Sequence, residues 1–345
     1  MELLDIDMSH LVGKRNNINI FSKDGTLLIP ALKIITYKDI ELLKENRVTL
    51  TLDDVVPVSK PSTSKVVEQE EKIDQAVEEI RAVFHDIRNM KKIPVKYIRE
   101  KIVPTLFIVK ESYEILRLFT ALQSKDDYTY RHNIAVGAIS NLIGTWLKLP
   151  EQELLQLTTA ALLHDVGKMF VPEEILNKPG PLTDEEFEEM KKHTIYGYEI
   201  LKETTGINHR QALVALQHHE RMDGSGYPYQ LQRKQIDLFS RIVAVADVFH
   251  SMSSNRIYKA RSPFYAVMAE MKREMFSRLD PEITYTFIHQ TMRALIGSKV
   301  LLNDGREGKI IFVPHNNPTN PLILVNHQFI NLQFTRDIRI VQIIE

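Results

Sequence analysis

Leu162-Leu163-His164-Asp165-Val166-Gly167-Lys168 is the stretch around which the rest of the chain can be arranged. Upstream of it Leu154, Leu155, Thr158, Ala161, Leu162 and Asp165 recur at helical spacing, which predicts an amphipathic helix ending near Asp165. Gly167 falls where the end of such a helix wants a residue tolerant of positive φ. The helix tip then presents an imidazole and a carboxylate side by side, with Lys168 three residues beyond Asp165. Neighbouring helical side chains diverge by about 100°, so the pair does not stack along one line. Both side chains can still approach a metal cluster, the carboxylate bridging two ions. Taken alone, the pair reads better as a buried His–Asp hydrogen bond beside a surface lysine. The remainder of the chain reverses that preference.

Twelve histidines are present, and five fall into a spaced series on segments that read as helix: His132, His164, His193 and the pair His218-His219. With Asp165 and Asp247 they make five imidazoles and two carboxylates, a set suited to a pair of transition ions of octahedral leaning. Nitrogen and oxygen ligands without sulfur favour Fe or Mn, and Co, Ni or Zn also fit. Gly224 and Gly226 permit a tight turn next to His218-His219, and Pro228 fixes where the chain leaves it. Tyr227, between them, reads as a residue that stacks on or hydrogen-bonds a substrate, or else as a turn residue packed on the core.

His164-Asp165-x-Gly167-Lys168 followed by His218-His219-Glu220-x-x-Asp223-Gly224-x-Gly226-Tyr227-Pro228 resembles the HD-GYP branch of the HD phosphohydrolase superfamily. The likeness runs from about Asp126 to Arg261, and the second string is too long to arise by chance. It implies an all-helical domain that uses a metal cluster to hydrolyse cyclic di-GMP to pGpG and onward to GMP, with a hydroxide shared by two ions as nucleophile. Carried over by position, His132, His164, Asp165 and Asp247 would hold one ion. Asp165, His193, His218 and His219 would hold the other, with Asp165 as the bridge. Some members hold a third ion through a glutamate four residues before the first ligand histidine; Tyr128 stands there in this chain, which favours two ions. A second departure is His250, where the family has an acidic residue. Three residues after Asp247 it shares that residue's helical face, so it is expected near the cluster, as a hydrogen-bonding group behind a ligand or as a proton carrier. Arg256 and Lys259 match the segment that grips phosphate or guanine, an arginine fork suiting either. Lys168 is placed to neutralise charge on the phosphoryl oxygens. Two rivals share these residues: a cyclic-dinucleotide receptor that keeps the metals for structure, which His250 favours, and a hydrolase of another nucleotide.

The bulk properties bound the setting. A length of 345 residues predicts two or three domains. A net charge of −1 argues against a nucleic-acid polymer or an anionic membrane surface as partner. The absence of cysteine excludes disulfides, thiolate metal sites and a cysteine nucleophile, and fits a reducing cytoplasm. No uncharged apolar run approaches the ~20 residues of a membrane span. The fold expected is mainly α: an all-helical HD-type bundle with small β-rich modules at both ends. Residues 1–56 form the first, with Asp24-Gly25 as a turn between two strands, and 57–65 a linker. Residues 66–296 form the helical region, in which Thr183 to Glu186 is a capping box, and Ser262-Pro263 and Asp280-Pro281 are helix starts. Residues 297–345 form a small barrel-like β module or a sheet. In the helix over 66–90, Val66, Ile73, Ile80 and Ile87 repeat every seven residues, as in a homodimer seam. Ala76, Val77, Val83 and Phe84 broaden that stripe, which favours packing within one subunit.

Overall fold

The computed structural model describes all residues except 1–7, 13, 17–19, 30–32, 34, 51–54, 58–62, 108–114, 116–117, 120, 123–127, 255–262, 336 and 345. The chain divides into two units, Met1–Lys65 together with Leu295–Glu345, and Val66–Ala294. In the first, β1 (Lys14–Asn16) precedes a hairpin of β2 (Ile20–Phe21) and β3 (Leu27–Ile29), whose turn carries Gly25 at φ +85°. A capping box between Thr36 and Asp39 opens α1 (Tyr37–Glu45), and β4 (Val55–Pro57) returns antiparallel to β1. Leu11, Ile20, Ile29, Ile35 and Leu43 close a small core of their own.

The helical unit begins at Val66, within α2 (Thr63–Met90). Its stripe of Ile73, Ala76, Val77, Ile80, Val83, Phe84 and Ile87 is buried within the chain, as the broad-face reading requires. Each large member contributes roughly 1.5–3 kcal/mol relative to exposure. Phe84 meets Tyr130 edge-on at 6.0 Å, and Asp74 binds Arg131 at 2.6 Å, so α2 lies against the start of α3 (Tyr128–Trp146). Residues 134–139 of α3 are buried on every side, which makes it the central helix. Around it come α4 (Glu151–Leu162), α5 (Asp184–Lys191), α6 (His193–Lys202), α7 (His209–Gln217), α8 (Leu238–Ser253), α9 (Phe264–Glu274) and α10 (Pro281–Ala294). Side-chain caps fix several starts: Thr183–Glu186 at α5, Asn208–Gln211 at α7, Asp237 at α8 and Asp280 at α10. Each such cap stabilises by about 1 kcal/mol. Pro263 is the residue just before α9 and Pro281 the first of α10, one position apart from each other in register but both at helix starts. Phe119, Phe249 and Phe287 pack at ring distances of 4.9 to 6.3 Å under α3.

The last segment is a sheet of β5 (Lys299–Leu302), β6 (Glu307–Phe312), β7 (Leu322–Val325), β8 (Gln328–Asn331) and β9 (Ile340–Ile344), antiparallel throughout in the order β8-β7-β6-β5-β9. Among the described residues β8 and β9 are its edges, the open-sheet form of the two read from the sequence. No described helix is long and apolar enough to cross a membrane.

Candidate metal centre

The helical unit brings the ends of its helices to one place. α3 supplies His132, the turn after α4 supplies His164 and Asp165, α6 opens on His193, His218 and His219 follow α7, and α8 supplies Asp247. All except the partly buried His219 are buried.

The local structure around Asp165 corrects one expectation. The helix stops at Leu162, and Asp165 precedes a tight turn of 3-10 helix over Val166–Phe170. Gly167 is not at positive φ. A Cβ there would lie 1.8 Å from the His193 carbonyl oxygen and 2.4 Å from the Gly197 nitrogen. Glycine is needed because the turn presses its backbone onto α6, and that contact sets the distance from Asp165 to His193. Gly226 plays a comparable part in the second motif: a Cβ would sit 2.4 Å from the Arg221 nitrogen and 2.5 Å from the His219 carbonyl oxygen. Buried Glu220 completes that loop by accepting the backbone N–H groups of Tyr229 and Leu231 at 2.7 and 2.9 Å.

Asp165 is the hub. Its Oδ2 lies 3.3 Å from His164 Nε2 and 3.9 Å from His132 Nε2, while its Oδ1 lies 3.3 Å from His193 Nε2 and 3.7 Å from His218 Nε2. One carboxylate thus turns an oxygen towards each of two imidazole sets. Ligand atoms of Asp165, His193, His218 and His219 all lie within 4.8 Å of one another, and so do those of His132, His164 and Asp165. Asp247 joins from the far side, Oδ1 3.2 Å from His132 Nε2 and Oδ2 3.8 Å from His219 Nδ1.

The hydrogen bonds behind the rings fix their tautomers. His164 Nδ1 faces the Ala161 carbonyl at 2.7 Å, His193 Nδ1 the Met190 carbonyl at 2.7 Å, and His218 Nδ1 the carbonyls of Val214 and Ala215 at 3.1 and 3.0 Å. A carbonyl only accepts, so each Nδ1 carries a proton, and a neutral ring, as burial favours for His193 and His218, turns a bare Nε2 lone pair inward. His193 and His218 consequently point two lone pairs at each other across 3.4 Å. Buried His164 Nε2 and Asp165 Oδ1 have no hydrogen-bond partner. Converging acceptors without protons between them are costly unless a cation sits among them. The donor set therefore fits divalent metal.

The electrostatics agree. Burial holds His193 down to about 3, against the pull of Asp165, and burial likewise depresses His132, His218 and His219. Burial alone would raise Asp165 and Asp247, but Lys168 and His164 around the first and His132 around the second keep both well below the usual carboxylate range. Neutral imidazoles beside ionised carboxylates are the protonation states that metal binding requires. His164 departs from the pattern: burial lowers it, yet the charge of Asp165 outweighs that and raises it.

The other predicted residues divide. The Lys168 ammonium sits 2.5 Å from Asp165 Oδ2 and is about a quarter exposed. The Tyr227 ring lies 4.7 Å from that of His219, and burial pushes its hydroxyl pKa up. His250 is buried but turned behind His132: its Nδ1 meets His132 Nδ1 at 2.9 Å and its Nε2 meets the Leu122 carbonyl at 3.2 Å. His250 thus stands on the Nδ1 side of His132, away from the Nε2 that faces Asp247. Arg256 and Lys259 lie outside the described residues. The sequence reading missed the wall of a cavity of about 640 Å³ beside Tyr227, formed with Phe187, Lys191, Lys192 and Arg278. Lys191 Nζ stands over both aromatic rings, 4.9 Å from Phe187 and 5.7 Å from Tyr227. The available signal was Phe187 itself, an apolar residue alone in an acidic run shortly before His193.

Residues 118–283 match the family model described as HD domain. The chain is 32% identical over 266 residues to cyclic di-GMP phosphodiesterase PA4108 of Pseudomonas aeruginosa, covering 74% of this chain and 64% of that protein. It is 36% identical over 262 residues to a cyclic di-GMP phosphodiesterase of Thermotoga maritima, covering 74% and 69%. It therefore spans about two thirds of the length of these relatives. Among solved structures, Bd1817, a HDG"Y"P protein from Bdellovibrio bacteriovorus, superposes with a TM-score of 0.52 over 81% of this chain and 96% of the other at 17% identity, a likeness of fold. With motif, fold and relatives in agreement, the chain belongs to the HD-domain family, in its HD-GYP branch.

Proposed function

We propose that the protein is a metal-dependent phosphodiesterase that opens cyclic di-GMP to linear pGpG. The observation that carries this reading is the division of Asp165, one oxygen towards each set of imidazole lone pairs. Two divalent ions, Fe or Mn by the all-nitrogen-and-oxygen donor set, would be held by His132, His164, Asp165 and Asp247 on one side and by Asp165, His193, His218 and His219 on the other. When bound, such a pair supplies hydroxide near neutral pH and neutralises charge on the phosphoryl oxygens.

The protein's own residues do the remainder. The turn over 166–170, pressed on α6, keeps the carboxylate of Asp165 midway between the two imidazole sets. The Lys168 ammonium stands at Asp165, where it stabilises negative charge accumulating on the phosphate in the transition state. Tyr227 stays protonated and offers a ring face for a base and a hydroxyl donor for a phosphate or sugar. Lys191, Lys192 and Arg278, each paired with a glutamate, line the adjoining cavity together with Glu188 and offer hydrogen-bond donors where the second nucleotide would lie. The names of the two relatives support cyclic di-GMP as the substrate.

The test is anaerobic purification with Fe or Mn supplied, metal analysis, and chromatography of products from cyclic di-GMP and from a cyclic dinucleotide bearing one adenine. Two ions per chain with pGpG formed fastest from cyclic di-GMP is the expected result. Tight nucleotide binding without hydrolysis would replace the enzyme with a receptor, and faster cleavage of the mixed dinucleotide would replace the substrate.

A further inference from the structure

We propose that His250 is a positioning residue that sets the proton of His132 on Nδ1, and so presents His132 Nε2 to the cluster. The inference rests on the dinuclear reading above, but its argument is one of hydrogen-bond polarity. Three of the inward-facing imidazoles take their orientation from a backbone carbonyl one turn earlier. His132 differs: its Nδ1 faces a ring nitrogen, His250 Nδ1, at 2.9 Å. Two nitrogens in contact share one proton, and the far side of His250 decides which ring owns it. His250 Nε2 lies 3.2 Å from the Leu122 carbonyl oxygen and 3.0 Å from Ser254 Oγ. Ser254 Oγ can donate or accept, but the carbonyl can only accept, so the arrangement that satisfies both contacts has His250 Nε2 as the donor. A neutral His250 then has only a lone pair left at Nδ1, and His132 Nδ1 must supply the hydrogen.

The consequence appears at the other end of His132. Its Nε2 sits 3.2 Å from Asp247 Oδ1, close enough for a neutral ring to place its one proton there instead. A ring so protonated donates to Asp247 and has no lone pair for a metal. The carbonyl of Leu122, acting through His250, opposes that tautomer, since it would set two lone pairs against each other at the His132–His250 contact. His250 thus does for His132, across 118 positions of sequence, what a carbonyl one turn back does for the others. Groups behind a metal ligand typically change metal affinity by about 10–100-fold when removed.

Two measurements test the assignment without relying on turnover. In [15N]histidine spectra of the native protein, His132 should carry hydrogen on Nδ1; a resonance showing Nδ1 bare would overturn the proposal. In metal titrations followed by calorimetry, His250→Leu removes the acceptor and should weaken one of two Mn sites by about 10–100-fold while the other is unchanged. His250→Asn can place its amide oxygen where Nδ1 was, and should restore that site to within a few-fold. Equal weakening in the two variants, with melting temperatures showing both folded, would mean that the ring's volume matters and its acceptor does not, which overturns the proposal. His132→Ala separates this idea from the one beneath it. If that variant loses one site and His250→Leu loses none, only the role of His250 fails; if it still binds two ions with native affinity, the dinuclear reading fails as well.

Discussion

Gly167→Ala is the smallest change that should dismantle the centre. The new methyl group would start 1.8 Å from the His193 carbonyl oxygen, 2.4 Å from the Gly197 nitrogen and 2.8 Å from the His193 carbonyl carbon. All three are backbone atoms, so no rotamer change relieves the contact. An ordinary C···O approach is about 3.3 Å, so the turn over 166–170 and α6 must part by about 1.5 Å. Asp165 rides on the turn and His193 opens α6, so their 3.3 Å separation widens by an amount of that order. Ligand distances must hold to about 0.2 Å, so the ion shared by Asp165 and His193 should be lost. A misplacement of about 1 Å costs catalysis roughly 10²-fold, and overpacking costs about 1–3 kcal/mol of stability. Gly197→Ala supplies the scale: its methyl would meet Ala215 Cβ at 3.1 Å and the Gly167 nitrogen at 3.3 Å, contacts that a few tenths of an ångström relieve. Metal per chain, turnover of cyclic di-GMP and melting temperature should therefore fall steeply for Gly167→Ala and mildly for Gly197→Ala. Native metal content and turnover in Gly167→Ala would refute the argument that this contact positions Asp165.

Asp165→Ala should release both ions and abolish turnover, because both imidazole sets face that one carboxylate; metal analysis finding one ion still bound would show that Asp165 is not shared. Lys168→Ala should retain two ions while kcat falls by about 10²–10³-fold, and loss of metal instead would make the lysine a support for Asp165. Tyr227→Leu should raise the Michaelis constant by about 10–100-fold through lost base stacking, leaving metal content as it was. For the metal-free protein, stability should drop as pH falls below 6.5. His193 moves from an ordinary 6.5 to about 3 on folding, so between those values the unfolded chain binds a proton that the folded chain does not, and stability rises with pH. The depressed His218 and His219 act in the same direction. Raised His164 opposes them, contributing stability that is lost as pH rises through its folded value. Melting temperatures of chelator-treated protein from pH 7.5 to 4.5 would contradict this balance if they stayed level or climbed.

The candidate ligands were legible in the sequence because each is a residue type with few other uses at a buried helix end, and because the second motif sets His218 and His219 at a fixed distance ahead of the glycines and proline of its loop. Helix starts were legible for a local reason: a capping box such as Thr183–Glu186 is closed by residues three apart. What sequence could not distinguish were features defined by a distant partner. A glycine that ends a helix and a glycine that admits another backbone look alike in the chain; only the approach of His193 separates them at Gly167. His250 was correctly placed near the cluster by its spacing from Asp247, yet the direction of its ring is decided by His132 and Leu122, both more than a hundred positions away. Phe187, Lys191 and Lys192 read as the outer face of a charged helix, tied by pairs such as Lys191–Glu188 and Lys192–Glu189. They become a cavity wall only because Gly226 folds the loop of Tyr227 back against His219 and Arg221. In this protein, then, residue type gave the chemistry, whereas the distances that make it one centre depend on two glycines whose function is to let backbones touch.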